Sequence, residues 1–577
     1  KKAFDSVPHS WISKVLDMLG INNSIRKFLH VAMGSWKTLI TVMGHVMGQV
    51  NIRRGLFQGD SLSPLIFITA LIPLTILLRK TGLGYHTSKT ARAISHLLFM
   101  DDLKLYGKST KETESLLNTV RIFSQDIAME FGLDKCATLY IYRGTVQATQ
   151  GIEMPNSTTI KGLSLEEGYK YLGILQSGEV KHSHVKQKTS SEYLIRVRKL
   201  LKSKLNGGNT IKGINSWAVP VIRYTAGIVD WTLAELDELD RKTRKLMTAN
   251  HALHPQSDVD RLYLPRSEGG RGLQQIRQTV EEEKRSLSEY VSSRKEAALQ
   301  EVKQEGLLID GTKREFRRQE LQSRRQRWSS KPLHGQYLKN IEGKVDETLT
   351  WAWLKHGELK KETEGFIMAA QDQALRTNAI KCKIDKTSNS SMCRLCGDRE
   401  ETVDHLVSSC SKIAQTDYKE RHNKVAAMLH WNLCKKYGLP VTDKWWEHKA
   451  EKVVQTAEVK ILWDFKIQTD KHLAHNIPDI TVVEKAQTYL IDVAIPGDGR
   501  IDQKEQEKIQ KYQDLKVEVE RLWERKAIVV PVVIGALGAI PKGLTKHLKT
   551  LGIDKISPAQ LQKAALLGTA HILRKYL

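Results

Sequence analysis

The stretch Phe99-Met100-Asp101-Asp102-Leu103 decides how the N-terminal part of this chain folds. Apolar residues precede it at 94–98 and follow it at 103–106, and two acids between two apolar runs are typical of a β-hairpin turn. Such a turn presents adjacent carboxylates between two strands. The pair alone is a weak signal, because acids in turns are common and usually structural.

Two segments on the N-terminal side change the meaning of this turn. Ala3-Phe4-Asp5-Ser6-Val7-Pro8 places another aspartate at the end of an apolar start, and residues 54–65 read RGLFQGDSLSPL between the two acidic sites. Synthesis of a polynucleotide requires two divalent ions, held by carboxylates that converge from separate strands. The two acidic sites are therefore candidates for one shared two-metal site.

These segments resemble motifs A, B and C of reverse transcriptases, in the same order. Residues 131–136 (FGLDKC) resemble motif D, and residues 169–174 (YKYLGI) resemble the primer-grip region of the non-LTR class. The resemblance implies a partial right hand with an α/β palm. It also implies that Asp5, Asp101 and Asp102 bind Mg²⁺ or Mn²⁺, with Asp102 more supportive than directly coordinating.

The same resemblance assigns residues to the substrates. It implies that Arg54, Gln58 and Gly59 shape the pocket around the template and the incoming deoxynucleoside triphosphate, where a glycine lets the backbone approach a ligand closely. Lys135 is the candidate that protonates pyrophosphate, and the alternative is an exposed lysine beside a helix end. Motif C usually carries Ala where this chain has Met100, which places a larger side chain near the metals. Fingers motifs, which normally precede motif A, are missing, so we expect a fragment without its natural N-terminus.

The chain is long and strongly basic. Its 577 residues predict three or more folding units, and its 90 Lys and Arg against 65 Asp and Glu give a net charge of +25. Because each neutralised phosphate releases condensed counterions, this charge predicts a nucleic-acid partner. Six cysteines in such a length exclude the disulfide framework of a small secreted domain and indicate a reducing, intracellular setting. The longest apolar run, 65–78, is shorter than the roughly 20 residues that a bilayer requires, so it predicts a core helix and no membrane partner.

Three cysteines and a histidine crowd into one short window. Two residues separate Cys393 from Cys396, His405 follows after eight more, and Cys410 after another four. This spacing predicts a tetrahedral Zn²⁺ site, which is structural because all four positions are filled. Similar CCHC clusters lie between polymerase and nuclease in the retrotransposons that the chain resembles. The other cysteines are expected to be ordinary thiols without such partners: Cys136, Cys382 and Cys434.

The C-terminal part predicts a second α/β fold. Residues 480–484 and 489–496 predict a hairpin, and residues 528–534 predict a further buried strand. One helix is predicted between them, with Asp502 and Glu505 at its cap. Its buried stripe is expected at Tyr512, Leu515, Val519 and Leu522.

Two carboxylates fall on the neighbouring strands of this hairpin. Asp479 heads the first strand and Asp492 lies in the second, where one Mg²⁺ can bridge them and bind an attacking water. This resembles the PD-(D/E)XK restriction-like endonuclease of site-specific, early-branching non-LTR retrotransposons. The usual lysine, two residues beyond the second acid, is replaced here. The resemblance relocates it to the following helix, at Lys508 or, alternatively, Lys504 or Lys511, where its amine stabilises charge at the scissile phosphate.

The whole sequence therefore predicts a multidomain chain of α/β and α parts. The charged residues 314–327 are either a solvated helix or a nucleic-acid contact. The predicted units are a reverse transcriptase palm at 1–175, a helical thumb at 176–290, a basic helical linker at 291–385, a CCHC zinc knuckle at 386–415, a restriction-like endonuclease at 450–540 and a helical tail at 541–577.

Two functions remain open on these grounds. In the first, the nuclease nicks chromosomal DNA and the polymerase extends the freed 3′-hydroxyl on the element's RNA, which is target-primed reverse transcription. This places the protein in the nucleus, after synthesis and RNA binding in the cytoplasm. The second is a decayed, non-catalytic nucleic-acid-binding remnant of such an element. Decay is expected to erode the site aspartates, and all of them are present, which favours the enzyme.

Overall fold

The computed structural model divides the chain into two compact units, each described by itself. The N-terminal unit consists of residues 1–187 and 288–309, and the C-terminal unit consists of residues 188–287 and 310–577. Phe131 of the motif D segment lies outside the described residues. These are residues 3–86, 93–130, 132–155, 159–164, 167–304, 306, 308–553 and 557–577.

Helices dominate the described residues. In chain order they are α1 Ala3–Ser6, α2 His9–Met18, α3 Asn23–Gly34, α4 Ser63–Lys80, α5 Thr110–Asp126, α6 His182–Lys202, α7 Gly207–Gly213, α8 Val219–Arg223, α9 Leu233–Ala249, α10 Val259–Tyr263, α11 Ile276–Ser293, α12 Ala297–Gln304, α13 Lys313–Ser330, α14 Gln336–Ile341, α15 Glu347–Thr350, α16 Ala352–His356, α17 Lys361–Gln371, α18 Asn378–Lys383, α19 Asp417–Lys436, α20 Ile501–Lys511, α21 Gln513–Trp523, α22 Leu544–Thr550 and α23 Pro558–Tyr576.

The strands form antiparallel pairs in the N-terminal unit and one larger sheet in the C-terminal unit. In chain order they are β1 Lys37–Val42, β2 His45–Asn51, β3 His96–Phe99, β4 Asp102–Leu105, β5 Tyr140–Tyr142, β6 Thr145–Gln147, β7 Ile152–Glu153, β8 Thr159–Ile160, β9 Tyr169–Tyr171, β10 Ile174–Gln176, β11 Val453–Gln455, β12 Val459–Trp463, β13 Ile480–Glu484, β14 Gln487–Ala494 and β15 Lys526–Val533.

The apolar helix α4 forms the centre of the N-terminal core. Phe67 and Leu74 on one side of it are buried against apolar residues of α2, α3 and α5, while Ile68 and Leu77 on the other side are exposed. Among the described helices, α4 is the one that is long and apolar enough to cross a membrane by length and composition. A core helix passes the same test, and α4 contributes one face to a core.

Helix α5 begins at a side-chain cap. The Ser109 Oγ atom accepts a hydrogen bond from the Glu112 amide at 3.2 Å, and the Glu112 carboxylate accepts one from the Lys108 amide at 3.0 Å. These bonds satisfy amides at the helix start that have no partner within the helix. Its apolar residues from Leu116 to Phe123 are buried, so this helix follows from local sequence.

A five-stranded sheet organises the C-terminal unit, in the order β11-β12-β13-β14-β15. The first four strands are antiparallel, and β15 runs parallel to β14. A parallel neighbour requires a crossover connection, which α20 and α21 supply. Tyr489, Ile491 and Val493 of β14 pack toward α19 and α23, whereas Leu490 packs with Leu515 of α21 on the opposite face.

The predicted single helix between the nuclease strands is wrong in two respects. The chain forms two helices, α20 and α21, with Tyr512 between them at φ −111° and ψ 14°. A 3-10 turn over Asp498–Arg500 leads directly into α20, so Asp502 and Glu505 do not cap it. The Glu505 carboxylate instead contacts His547 Nε2 at 2.9 Å. The predicted stripe is buried at Tyr512, Leu515 and Val519, while Leu522 is only half-buried.

The charged stretch 314–327 lies in helix α13. Thr312 and Glu315 form a capping box at its start. Arg324 and Trp328 are buried, and Arg261 lies over the Trp328 ring at 4.8 Å while pairing with the buried carboxylate of Asp372 at 2.7 Å. One side of this basic helix therefore belongs to the core of the C-terminal unit.

Candidate functional site

The motif C acids lie on the hairpin that the sequence predicts. Strands β3 and β4 pair antiparallel, with Leu98 opposite Leu103 and Phe99 opposite Asp102, so Met100 and Asp101 form the turn. Both aspartates are exposed. Met100 has a left-handed backbone with φ 54° and packs against the apolar core of the unit. The hairpin is confirmed, and the larger side chain at Met100 anchors its turn.

Motifs A and B meet through their backbones. Asp5 lies in the short helix α1 and not on a strand, and the Gly55 and Leu56 amides each donate to carbonyls of this segment at 2.8 Å. Gly55 has φ +88°, and a Cβ atom there would lie 2.9 Å from the Asp5 carbonyl oxygen. Glycine is therefore required where the two motifs touch.

The carboxyl groups of the three motif aspartates do not gather into a compact ligand cluster. Within the described ranges, the groups of three or more His, Cys, Asp and Glu residues whose donor atoms all lie within 4.8 Å of one another are two Cys/His clusters. Metal binding by Asp5, Asp101 and Asp102 thus rests on the resemblance and on the carboxylate chemistry of the exposed turn.

The residues predicted to contact template and nucleotide differ in their surroundings. The Arg54 guanidinium donates to the Ser6 carbonyl at 3.0 Å and to the Ala128 carbonyl at 2.5 Å. Gln58 is exposed, and Gly59 has φ +97° with open space where a Cβ atom would be. Arg54 therefore braces the motif A segment, whereas Gln58 and Gly59 face free space.

A lysine that the sequence did not single out lies between the motif C and primer-grip hairpins. The Lys104 amine of β4 lies 3.4 Å from Gln176 Oε1 and between 5.1 and 5.6 Å from the rings of Tyr106, Tyr169 and Tyr171. Burial lowers the pKa of Lys104. Lys135, in contrast, is exposed in a 3-10 turn.

The four residues of the CCHC window come together in the C-terminal unit. The Cys393 and Cys410 sulfurs are 4.0 Å apart, and Cys396 Sγ lies 3.3 Å from His405 Nε2. Zn²⁺ held at about 2.3 Å from sulfur and about 2.0 Å from nitrogen keeps tetrahedral donors roughly 3.3 to 3.8 Å apart. The donor set and its spacing therefore fit Zn²⁺.

The knuckle is held by hydrogen bonds of Tyr418 and by a shared core. The Tyr418 hydroxyl accepts from the Cys410 amide at 3.1 Å and donates to the Leu406 carbonyl at 2.9 Å. Burial raises the pKa of Cys410 to about 11. Cys393 and Cys410 pack in one apolar cluster with residues of β15 and α23, so the knuckle and the sheet belong to one folded unit.

The two candidate nuclease carboxylates meet at one end of the sheet. Ile480 of β13 pairs with Ile491 of β14 in an antiparallel register, so Asp479, directly before β13, and Asp492 of β14 lie at the same end of this strand pair. Asp479 Oδ2 accepts the Val493 amide at 2.7 Å. Only 2% of the Asp492 side chain is exposed.

Two residues of the α20–α21 region contact Asp492, and one of them is a candidate lysine. The Lys508 amine forms an ion pair with Asp492 Oδ2, and the Tyr512 hydroxyl donates to Oδ1 at 2.8 Å. Lys511 is farther away, at 3.6 Å from Oδ1. Lys504 pairs with Glu507 instead, at 2.6 Å. Lys508 is therefore the lysine that directly contacts the acidic pair.

His422 of α19 completes the site, and no sequence pattern pointed to it. Its Nε2 atom lies 3.1 Å from Asp479 Oδ2 and 3.2 Å from the Val493 carbonyl. Burial raises the pKa of Asp479, but the His422 hydrogen bond and charge, the Val493 amide and Lys508 outweigh burial and lower it. Asp479 is thus kept ionised, as a metal ligand must be.

The sequence of this chain is similar to those of known proteins. Residues 1–175 match the family described as reverse transcriptase (RNA-dependent DNA polymerase). This part of the chain is a reverse transcriptase domain. The chain carrying this domain is 28% identical over 289 residues to a Popillia japonica protein, the Retrovirus-related Pol polyprotein from type-1 retrotransposable element R2, covering 48% of this chain and 46% of that protein.

Two further relatives carry the same description. A second Popillia japonica match is 22% identical over 585 residues, covering 94% of this chain and 73% of that protein. A Nasonia vitripennis protein is 21% identical over 438 residues, covering 74% of this chain and 41% of that protein. The chain thus spans about half the length of the first of these relatives. The domain and the homology together support a reverse transcriptase of the non-LTR retrotransposon class.

Proposed function

We propose that this chain is an RNA-directed DNA polymerase and a DNA-nicking endonuclease of an R2-type element, acting by target-primed reverse transcription. Its substrates are the element RNA, deoxynucleoside triphosphates and chromosomal DNA, which places its work in the nucleus. The reverse transcriptase domain and the similarity to R2 Pol polyproteins support the polymerase. The net charge of +25 suits a protein that holds two polyanions.

The nuclease proposal rests on Asp479 directly before β13, Asp492 on the neighbouring strand β14, and Lys508 against Asp492. Two carboxylates on adjoining strands are suitable ligands for Mg²⁺, which when bound supplies an activated water and charge stabilisation at the phosphate. His422 holds Asp479 ionised and oriented. Tyr512 fixes Asp492, and Lys508 brings a positive charge to the place where a phosphate oxygen gains negative charge.

The polymerase proposal depends on the exposed turn at Asp101 and Asp102. These carboxylates, with Asp5, would hold the divalent ions that activate the primer 3′-hydroxyl and stabilise pyrophosphate. Gln58 and Gly59 leave free space beside motif A for template and nucleotide, and Lys104 ties the motif C hairpin to the primer-grip hairpin. Lys135, in its exposed turn, is accessible to donate a proton.

A coupled reaction tests the joint function. The full chain is incubated with Mg²⁺, the four deoxynucleoside triphosphates, an RNA template and supercoiled plasmids that carry random chromosomal inserts. We expect complementary DNA covalently joined to plasmid 3′ ends at nick positions, detected by sequencing across the junctions. Complementary DNA that is never joined to plasmid, together with intact supercoiled DNA, would refute the coupling.

Substitution of the three lysines tests which amine serves the nuclease. We expect Lys508→Ala to slow plasmid nicking by about a hundredfold, the range found when one preorganised donor is lost. Lys511→Ala should cost less than about tenfold, because its amine is farther from Asp492. Lys504→Ala is the matched control, since Lys504 pairs with Glu507. A larger loss for Lys511→Ala than for Lys508→Ala would contradict the assignment.

A further inference from the structure

A second Cys/His cluster lies beside α19, away from the CCHC knuckle. His430 Nδ1 is 2.8 Å from His448 Nε2 and 3.5 Å from Cys434 Sγ. The three donor atoms all lie within 4.8 Å of one another. The expectation that Cys434 lacks such partners is therefore wrong, because one of them lies on the helical turn before it and the other comes from a distant loop.

The local fold places these donors by simple geometry. His430 and Cys434 are four residues apart on α19, so their side chains lie on one face, a turn apart. His448 follows a 3-10 turn at Trp445–Glu447 and lies against this face. Trp463 of β12 meets the His430 ring edge-on, with ring centroids 5.6 Å apart. The cluster thus joins the helix, the loop and strand β12 of the sheet.

The distances resemble those of the CCHC cluster. Sulfur and nitrogen ligands of one tetrahedral Zn²⁺ are roughly 3.3 to 3.8 Å apart, and the 3.5 Å between Cys434 and His430 falls in this range. The 2.8 Å between the two imidazoles is a hydrogen-bond distance. An ion between the two nitrogens needs them to separate by about half an ångström, which a rotation of the half-buried His448 provides.

The donor set suits a metal of intermediate softness. Imidazole nitrogen and thiolate sulfur are both ligands that Zn²⁺ takes in proteins. His430 and Cys434 are buried and His448 is half-buried. A thiol gives up its proton when it binds a metal, so binding at Cys434 releases one proton.

We propose that His430, Cys434 and His448 bind one divalent zinc-class cation. Binding forms one sulfur–metal and two nitrogen–metal bonds and releases the Cys434 thiol proton to solvent. Three protein ligands leave a fourth position for water. The bound ion links the loop between α19 and β11 to α19, the helix that carries His422. This site is separate from the knuckle and does not depend on the proposed catalytic activities.

The test counts zinc in the purified full chain by mass spectrometry of the metal after gel filtration. Two ions per chain are expected, one for each cluster. His448→Ala and Cys434→Ser should each remove one ion and leave the other. Cys396→Ser should remove the knuckle ion alone, and Cys382→Ser, which belongs to neither cluster, should remove none. His448 is half-buried, so its variant is the one that best preserves folding.

Cobalt substitution gives an independent readout that does not require a folded Cys434 variant. The knuckle offers three thiolates and the second cluster one, so Co²⁺ in Cys396→Ser should retain a weak sulfur-to-cobalt band that His448→Ala then abolishes. One zinc per chain in the unmodified protein, or two ions that persist in both His448→Ala and Cys434→Ser, would overturn the site. The three residues would then be a hydrogen-bonded pair of histidines beside a reduced thiol.

Discussion

Plasmid nicking by the Asp492→Asn variant is expected to fall by at least about a thousandfold, the consequence of losing several kcal/mol of metal-centred stabilisation. The amide keeps the shape of the side chain but loses the charge that binds a cation. Asp492 is nearly fully buried and is contacted by Lys508 and Tyr512, so the substitution removes a carboxylate at a defined place in the proposed site. The measurement is the rate of conversion of supercoiled to open-circular DNA at saturating Mg²⁺.

A matched control separates chemistry from folding. Asp514→Asn makes the same change at an exposed position of α21, and its nicking rate should equal that of the unmodified chain. Because Asp492→Asn leaves the Lys508 amine without a charged partner, its melting temperature must be compared as well. Nicking within threefold of the unmodified rate, in a folded variant, would remove Asp492 from the site.

The second large effect is expected for Asp101→Asn in primer extension. Asp101 lies exposed in the turn of the β3–β4 hairpin, so the loss of its charge should spare the fold. We expect extension of a primed RNA template to fall by about a thousandfold or more, since the substitution removes a carboxylate that we propose binds the catalytic ions. The measurement of extension is the incorporation of a labelled nucleotide.

Each of the two variants also serves as a control for the other. Asp101→Asn should nick plasmid at the unmodified rate, and Asp492→Asn should extend a primer supplied with a free 3′-hydroxyl. Asp126→Asn, at the exposed end of α5, is the matched control for the polymerase. Extension that survives Asp101→Asn, or that is absent from the unmodified chain, would contradict the polymerase proposal.

Short-range sequence signals predicted several features correctly. The β3–β4 hairpin and the β13–β14 hairpin depend on residues within a few positions of one another. The knuckle is predictable for the same reason, because its four ligands lie within 18 residues, from Cys393 to Cys410. In each case, backbone geometry over a short segment leaves few alternatives.

Other features depended on contacts that spacing along the chain does not encode. The chain forms α20 and α21 in place of the single predicted helix, because the break between them lets Tyr512 donate to Asp492. His422 reaches Asp479 from 57 residues away. An isolated histidine on an amphipathic helix resembles any other core histidine until the partner strand is in place.

The sequence by itself determined the reverse transcriptase motifs, the CCHC set and the acidic pair at Asp479 and Asp492. The tertiary structure alone decided that Lys508 is the lysine against Asp492, and that His448 joins His430 and Cys434. The physical reason is distance. Motifs are short patterns that the local backbone places, whereas these partners come from separate elements that meet only when the apolar faces of the sheet and its helices are buried together.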